Sequence, residues 1–103
     1  MSFALGKGGC IYIMSNKNNT TLYTGVTSNL VQRVIEHKEK RYPNSFTAKY
    51  NCTKLVYYQC FYSIEEAIAA EKRIKGGSRT DKEILIRQIN PEWNDLWEEI
   101  AKW

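Results

Sequence analysis

The sequence predicts an α+β fold: a three-stranded antiparallel or mixed sheet flanked by helices, in the order β-β-α-β-α-α with a short C-terminal helix. Three observations predict it. Two short runs rich in β-branched and aromatic residues, "CIYIM" and "LYTGV", flank the polar stretch "SNKNNTT", which is the pattern of a hairpin with a longer loop. A third run, "KLVYYQCF", is apolar at odd and even positions alike, as in a strand covered on both faces. Between and after these runs apolar residues recur at helical spacing. A chain of 103 residues has room for one hydrophobic core. Residues 1–103 are therefore expected to form a single domain, with 1–8 as a flexible lead-in.

The opening "MSFALGKGG" runs out on Lys7, Gly8 and Gly9. Its apolar run is too short for a signal peptide, and no segment has membrane length. In the hairpin, alternation puts Cys10, Tyr12 and Met14 on one face and Ile11 and Ile13 on the other, while Tyr23 shares a face with Gly25. The register is left open. With Tyr12 opposite Tyr23 the two rings would be neighbours, and Gly25 would leave open space beside them.

The stretch "TSNLVQRVIEHKEKRY" predicts the first helix. Thr27 or Ser28 serves as N-cap, and Leu30, Val31, Val34 and Ile35 form its apolar stripe. Arg33 and His37 stand four apart and share a flank beside that stripe. "RYPNSFTAKYNCT" reads as a loop with a turn at Pro43 and Asn44. A second helix begins at Ser63, whose spacing to Glu66 is that of a capping box, and ends at Gly76–Gly77. Its apolar positions are Ile64, Ala67, Ile68 and Ile74. Glu71 falls inside this stripe, where a carboxylate needs a partner or a metal. A third helix runs from about Ser78 to Ile89 with Ile84, Leu85 and Ile89 apolar, and stops before Pro91. The tail "EWNDLWEEIAKW" places Trp93, Trp97, Ile100 and Ala101 on one side of a final short helix, where with Trp103 the tryptophans serve as core or dimer contacts.

Hydrophobic residues make up 43% and charged residues 25%, ordinary for a soluble globular protein, and its cysteines make a cytoplasmic one the expectation. The formal charge of +4 comes from 15 Lys and Arg against 11 Asp and Glu. With a pI near 9.0, this excess favours a polyanionic partner. Cys10, Cys52 and Cys60 are odd in number and have no paired spacing, so reduced thiols are expected rather than a disulfide framework. A zinc site made from them and the lone His37 is disfavoured, because zinc sites use closely spaced cysteine pairs.

The tripeptide "CIY" followed by "YTG" on a hairpin, Arg33 and His37 on the next helix and Glu71 on a later one together resemble the GIY-YIG nuclease superfamily, in its small, single-domain bacterial branch. The likeness runs from Gly9 to about Trp97 and takes in "AAEKRIKG" and "NPEWNDL". Two positions depart from the family pattern: Cys10 stands where the first tripeptide has Gly, and Thr24 is the middle residue of the second. Neither removes a phenol.

The resemblance implies hydrolysis of phosphodiesters with one divalent cation, magnesium or manganese. It makes Glu71 the metal ligand, Tyr12 the candidate general base or water-orienting group, and Tyr23 its partner near the phosphate. Arg33 would pair with the scissile phosphate, His37 would assist proton transfer, and Asn90 would brace the site. Such a set suits the chemistry. A guanidinium and a metal can both meet the charge that builds on the phosphate oxygens, and a single carboxylate is enough for a hard cation that keeps its waters. An ordinary tyrosine, with a pKa of about 10, needs help to act as a base, and whether Tyr12, Tyr23 or His37 takes the proton is open.

Each residue also has an ordinary reading. Tyr12 and Tyr23 can be cross-strand packing, Arg33 a solvated helix residue, Glu71 an ion pair with Lys75, and Asn90 a cap before Pro91. Lys38, Lys40 and Arg41, with Lys49 and Lys54, either form a solvated face or line a phosphate track. The implied partner is nucleic acid, DNA before RNA, bound by a monomer or weak homodimer, with a protein partner supplying specificity. The alternative is a nucleic-acid-binding module that keeps the fold and cuts little.

Overall fold

The computed structural model describes residues 8–103; of the expected lead-in, residues 1–7 lie outside that range. Gly8 is buried, and Gly9 already belongs to the first strand. Strands β1 (Gly9–Ser15), β2 (Leu22–Thr27) and β3 (Lys54–Phe61) form one antiparallel sheet in the order β2-β1-β3. The helices are α1 (Leu30–Lys38), α2 (Phe46–Lys49), α3 (Ile64–Lys75), α4 (Arg79–Ile89) and α5 (Trp97–Ile100). The predicted architecture and element order hold, with α2 as an addition inside the stretch expected to be a loop. Ser45 explains it, since its side chain accepts the Ala48 N–H and caps a single helical turn.

Central β1 is buried along its whole length and feeds two cores. On one face Cys10, Tyr12 and Met14 pack with Leu30 and Val34 of α1, with Leu55, and with Leu96 and Ile100 near the C-terminus. On the other, Ile11 and Ile13 pack with Val56, Tyr57, Ala67, Ala70 and Ile86. The alternation of "KLVYYQCF" is interrupted because Ile13 pairs with Tyr57 whereas Met14 pairs with Leu55. Val56 is the extra residue of a β-bulge, so Val56 and Tyr57 both reach the second core.

Asn90 is explained by that bulge. Its side-chain amide donates to the Val56 carbonyl at 3.1 Å and to the Asn94 carbonyl, while its own oxygen accepts the Asn94 N–H. Asp95 accepts the Leu55 N–H, and the Leu96 N–H donates back to the Leu55 carbonyl. The segment after α4 thus covers the edge of β3 at Leu55 and Val56 and gives their backbone groups partners.

Several local expectations are corrected. Asn29, not Thr27 or Ser28, caps α1, while Thr27 and Asn29 bond to each other just outside the helix. On α3 the second buried position is Ala70, and Ile68 is 37% exposed. The Ser63 hydroxyl accepts the Glu66 N–H as expected, but the reciprocal box with both bonds present stands at Ser78 and Asp81. On α4 the buried residue is Ile86, while Ile84 and Ile89 are exposed. Trp93 and Trp97 do not share a side. Trp93 precedes the four-residue α5, has a left-handed backbone (φ 56°) and packs on the Ile11 face, whereas Trp97 packs on the Tyr12 face. Trp103 meets Tyr58 edge-on.

The cysteine expectation is also overturned. Antiparallel register sets Cys10 directly opposite Cys60, and the two form a disulfide across β1 and β3. Their separation of 50 residues hides a juxtaposition that only strand pairing creates. Cys52 is a buried free thiol.

Candidate active site

The hairpin register pairs Tyr12 with Gly25 and Met14 with Tyr23. Tyr12 and Tyr23 are therefore diagonal neighbours rather than directly opposite, with ring centroids 6.3 Å apart. Gly25 does not leave open space. A Cβ at that position would lie 2.5 Å from Tyr12 Cζ and Oη, so the glycine is the seat of the Tyr12 ring.

His37 is not beside the stripe of α1 but part of it. Leu30, Val34 and His37 are the buried residues, at i, i+4 and i+7, while Val31 and Ile35 are half-buried. His37 Nε2 is 2.8 Å from the Tyr12 hydroxyl, and its Nδ1 is 2.8 Å from Thr47 Oγ1. A neutral imidazole has one donor and one acceptor. The two bonds are therefore coupled: if Tyr12 donates to Nε2, Nδ1–H donates to Thr47, and the reverse tautomer inverts both. Thr47, buried inside α2, was invisible to sequence reasoning because it sits in a segment without periodicity. The Ser45 hydroxyl stands 3.3 Å from Thr47 Oγ1 and extends the chain outward.

Electrostatics follow from this burial. Burial pushes the Tyr12 phenol up, and Tyr23 adds to the rise, while the Arg33 guanidinium pulls the other way by charge and hydrogen bonding. Burial, then the Arg33 charge, hold His37 down at about 4. For Arg33 itself burial acts downward, but its hydrogen bond to Glu36 and the nearby Tyr12 and Tyr23 more than offset it, so the net shift is upward. At neutral pH the site thus holds a protonated Tyr12, an uncharged His37 and a fixed positive charge. Arg33 is tied to Glu36 at 2.9 Å and its guanidinium lies 5.7 Å from the Tyr42 ring centre.

Glu71 comes from the other layer. Ala67 and Ala70 of α3 pack beneath the Ile11 face, and the helix contacts both β1 and β2. The Glu71 side chain is 12% exposed and pairs with Lys75 at 3.0 Å, and the Lys75 ammonium lies 5.9 Å from the Tyr23 ring centre. One lysine head thus stands between the carboxylate and the second phenol. Tyr12, Tyr23, Arg33 and His37 are gathered on one face, and Glu71 approaches by way of Lys75. The Asn90 side chain bonds to Val56 and Asn94 and not to any of these groups.

Among the described residues no group of three or more His, Cys, Asp or Glu side chains converges on one point. A site based on Glu71 therefore brings fewer than three such side chains to an ion. That donor set fits a magnesium-like ion, which keeps several waters and takes the remaining oxygens from phosphate. It does not fit zinc, which seeks several nitrogen or sulfur ligands.

The basic side chains divide. Lys38 is a clamp: its ammonium donates to the Thr53 carbonyl and to Asp95, and it lies 6.0 Å from the Trp97 ring centre. Lys54 donates to Asn19. Arg41 pairs with Glu36 and Glu39, Lys40 bonds the Asn51 side chain, and Lys49 is exposed.

A family model described as the GIY-YIG catalytic domain matches residues 8–84. The chain belongs to the GIY-YIG family. Within it, the UPF0213 proteins are its relatives. The UPF0213 protein of Syntrophus aciditrophicus is 37% identical over 82 residues, covering 80% of this chain and 92% of that protein. UPF0213 protein SH2523 of Staphylococcus haemolyticus is also 37% identical, over 76% of this chain and 93% of its own length. The solution NMR structure of UPF0213 protein BH0048 from Bacillus halodurans superposes with a TM-score of 0.54 at 27% identity, covering 85% of this chain and 92% of that one. The GIY-YIG match takes in Tyr12, Tyr23, Arg33, His37 and Glu71 and ends before Asn90. The cysteine at the first GIY position has a structural use here, since it is bonded to Cys60. Among the described residues no helix is long and apolar enough to cross a membrane.

Proposed function

We propose that the chain is a metal-dependent endonuclease that hydrolyses phosphodiester bonds in DNA in the cytoplasm. The observation that carries this reading is the hydrogen-bonded chain Tyr12–His37–Thr47 with the Arg33 guanidinium beside it. A buried phenol whose pKa is raised is a poor base by itself. Beside a neutral imidazole it becomes useful, because Tyr12 can take a proton from water while passing its own to His37 Nε2. Thr47 fixes the imidazole for that transfer. Arg33, charged at all working pH values, would meet the phosphate, and Tyr23 packs against both Tyr12 and His37. Glu71 would hold the divalent cation, magnesium or manganese, whose chemistry is to neutralise phosphate charge and acidify bound water. Lys75 must release the carboxylate for this and can then turn toward the backbone of the substrate.

The test is a panel of plasmid, linear, flap and junction DNA incubated with magnesium or manganese, with and without chelator. Nicking is expected only with metal, and Glu71→Ala and Arg33→Ala are each expected to abolish it. The Glu71–Lys75 pair favours a second reading, a nucleic-acid-binding module whose ion site stays closed. Binding that falls steeply with salt, without cleavage of any substrate, would establish that one.

A further inference from the structure

We infer that residues 40–51 form a stacking platform for an unpaired strand, so that this site acts on single-stranded nucleic acid, such as a flap or overhang, in preference to continuous duplex. The cleavage part rests on the nuclease reading; the binding part does not.

The segment is a defined excursion from the fold. Lys40 and Asn51 both have left-handed backbones (φ 53° and 58°), and the Lys40 ammonium donates to the Asn51 side chain, closing the neck. Thr47 and Ala48 point inward and are buried. The outward face carries three large rings: Tyr42 is 52% exposed, Phe46 44% and Tyr50 53%. Phe46 and Tyr50 continue a ladder that starts at Tyr23, while Tyr42 lies apart against the Arg33 guanidinium. Phe46 stacks on Tyr23 with centroids 6.0 Å apart and planes 30° from parallel, and Tyr50 lies 4.7 Å beyond Phe46. Tyr23 is itself 5.5 Å from His37, so the ladder leads from the candidate catalytic groups directly into solvent.

Its charge selects the occupant. From Lys40 to Ile64 the chain has no Asp or Glu and carries Lys40 and the exposed Lys49, with Arg41 paired to Glu36 and Glu39 and Lys54 bonded to Asn19. The nearest acids along the chain, Glu36 and Glu39, are held by Arg33 and Arg41. Exposed aromatic faces among lysines are what an unpaired strand requires, because its bases stack on the rings while its phosphates meet the ammonium groups. A duplex keeps its base faces stacked on one another and cannot use the ladder.

The test measures anisotropy of a labelled oligothymidine of about 12 nucleotides, within the usual range of single-strand site sizes, against a hairpin duplex, using the full chain with chelator present. The single strand is expected to bind more tightly. Tyr50→Ala should weaken single-strand binding about ten-fold, Tyr50→Trp should restore it, and duplex affinity and the salt slope should stay unchanged. Phe46→Ala should act similarly, but Phe46 also packs on Tyr23, so Tyr50 carries the test. Equal affinity for duplex, or a Tyr50→Ala variant that still binds single strands normally, would overturn the inference. So would a Tyr50→Ala variant that changes only the sedimenting mass, since the ladder would then be a contact between copies. Cleavage by the wild type, measured beside binding, separates the two claims. Tyr50-dependent binding without cleavage by the wild type leaves this inference standing and sinks the nuclease reading, whereas metal-dependent cleavage favouring duplex does the reverse.

Discussion

The two faces of β1 are made of alternate residues of one strand, yet they differ in kind. Beneath Ile11 and Ile13 the core is apolar, aliphatic residues joined by Tyr57, Phe61 and Trp93, and is closed by two alanines of α3 and Ile86 of α4. Above Tyr12 the core gives way to buried polar groups, with His37 and Thr47 each at most 4% exposed and linked to one another. The first face gives rigidity by close packing. The second is expensive, because each polar group taken from water must find a partner, and all three find one. The comparison teaches that the aliphatic packing and the Tyr12–His37–Thr47 relay are separated by the pleat of one strand, while Glu71 comes to the site from the helix on the packed side.

Substitutions can break that separation if it is wrong. The largest effect is expected from Tyr12→Phe, which removes the hydroxyl at the head of the relay and should lower kcat by about 100-fold or more, with only about 1 kcal/mol lost in stability. Gly25→Ala should approach the same loss without touching the tyrosine, since the added methyl displaces the ring. Cleavage assays paired with urea melts would show both.

On the other face, Ile11→Ala should cost about 3 kcal/mol by leaving a cavity while the folded fraction keeps its turnover. A large fall in kcat there would show that the faces are coupled.

A finer test uses pH. His37 is held neutral at about 4 against an ordinary value of 6.5. The unfolded chain therefore takes up a proton first as pH falls, and stability declines from pH 6.5 to about 4. His37→Gln should flatten that decline in urea midpoints. The smallest effect is expected at Thr24, whose buried hydroxyl has no partner among the described residues. Thr24→Val should raise stability by about 1 kcal/mol and leave cleavage unchanged; a loss of stability would mean that the hydroxyl has a use.

Much of this fold was legible in the sequence because its signals are local. Alternation in "CIYIM", the glycines after α3 and the proline after α4 each act within a few residues. His37 was misplaced because helical spacing fits two overlapping stripes on α1, and only the packing of Tyr12 against one of them decides between them. Thr47, the Tyr23–Phe46–Tyr50 ladder and the Cys10–Cys60 bond were hidden for a related reason. Each depends on a contact between segments whose register or loop path no short window encodes. Asn90 is expected to brace the site, whereas its side chain holds the bulge at Val56, which appears only when strands pair.

The sulfur bridge has one more consequence. It closes a covalent ring that contains Tyr12, Tyr23, Arg33, His37 and the whole exposed aromatic segment, and leaves Glu71 outside. A protease that nicked the projecting 40–51 loop would yield two fragments still fastened together, with Tyr12, Arg33 and His37 on the first and, for a cut before Thr47, that last relay member on the second. The acid that would carry the cation is, by contrast, on the chain beyond the ring, secured by noncovalent packing alone.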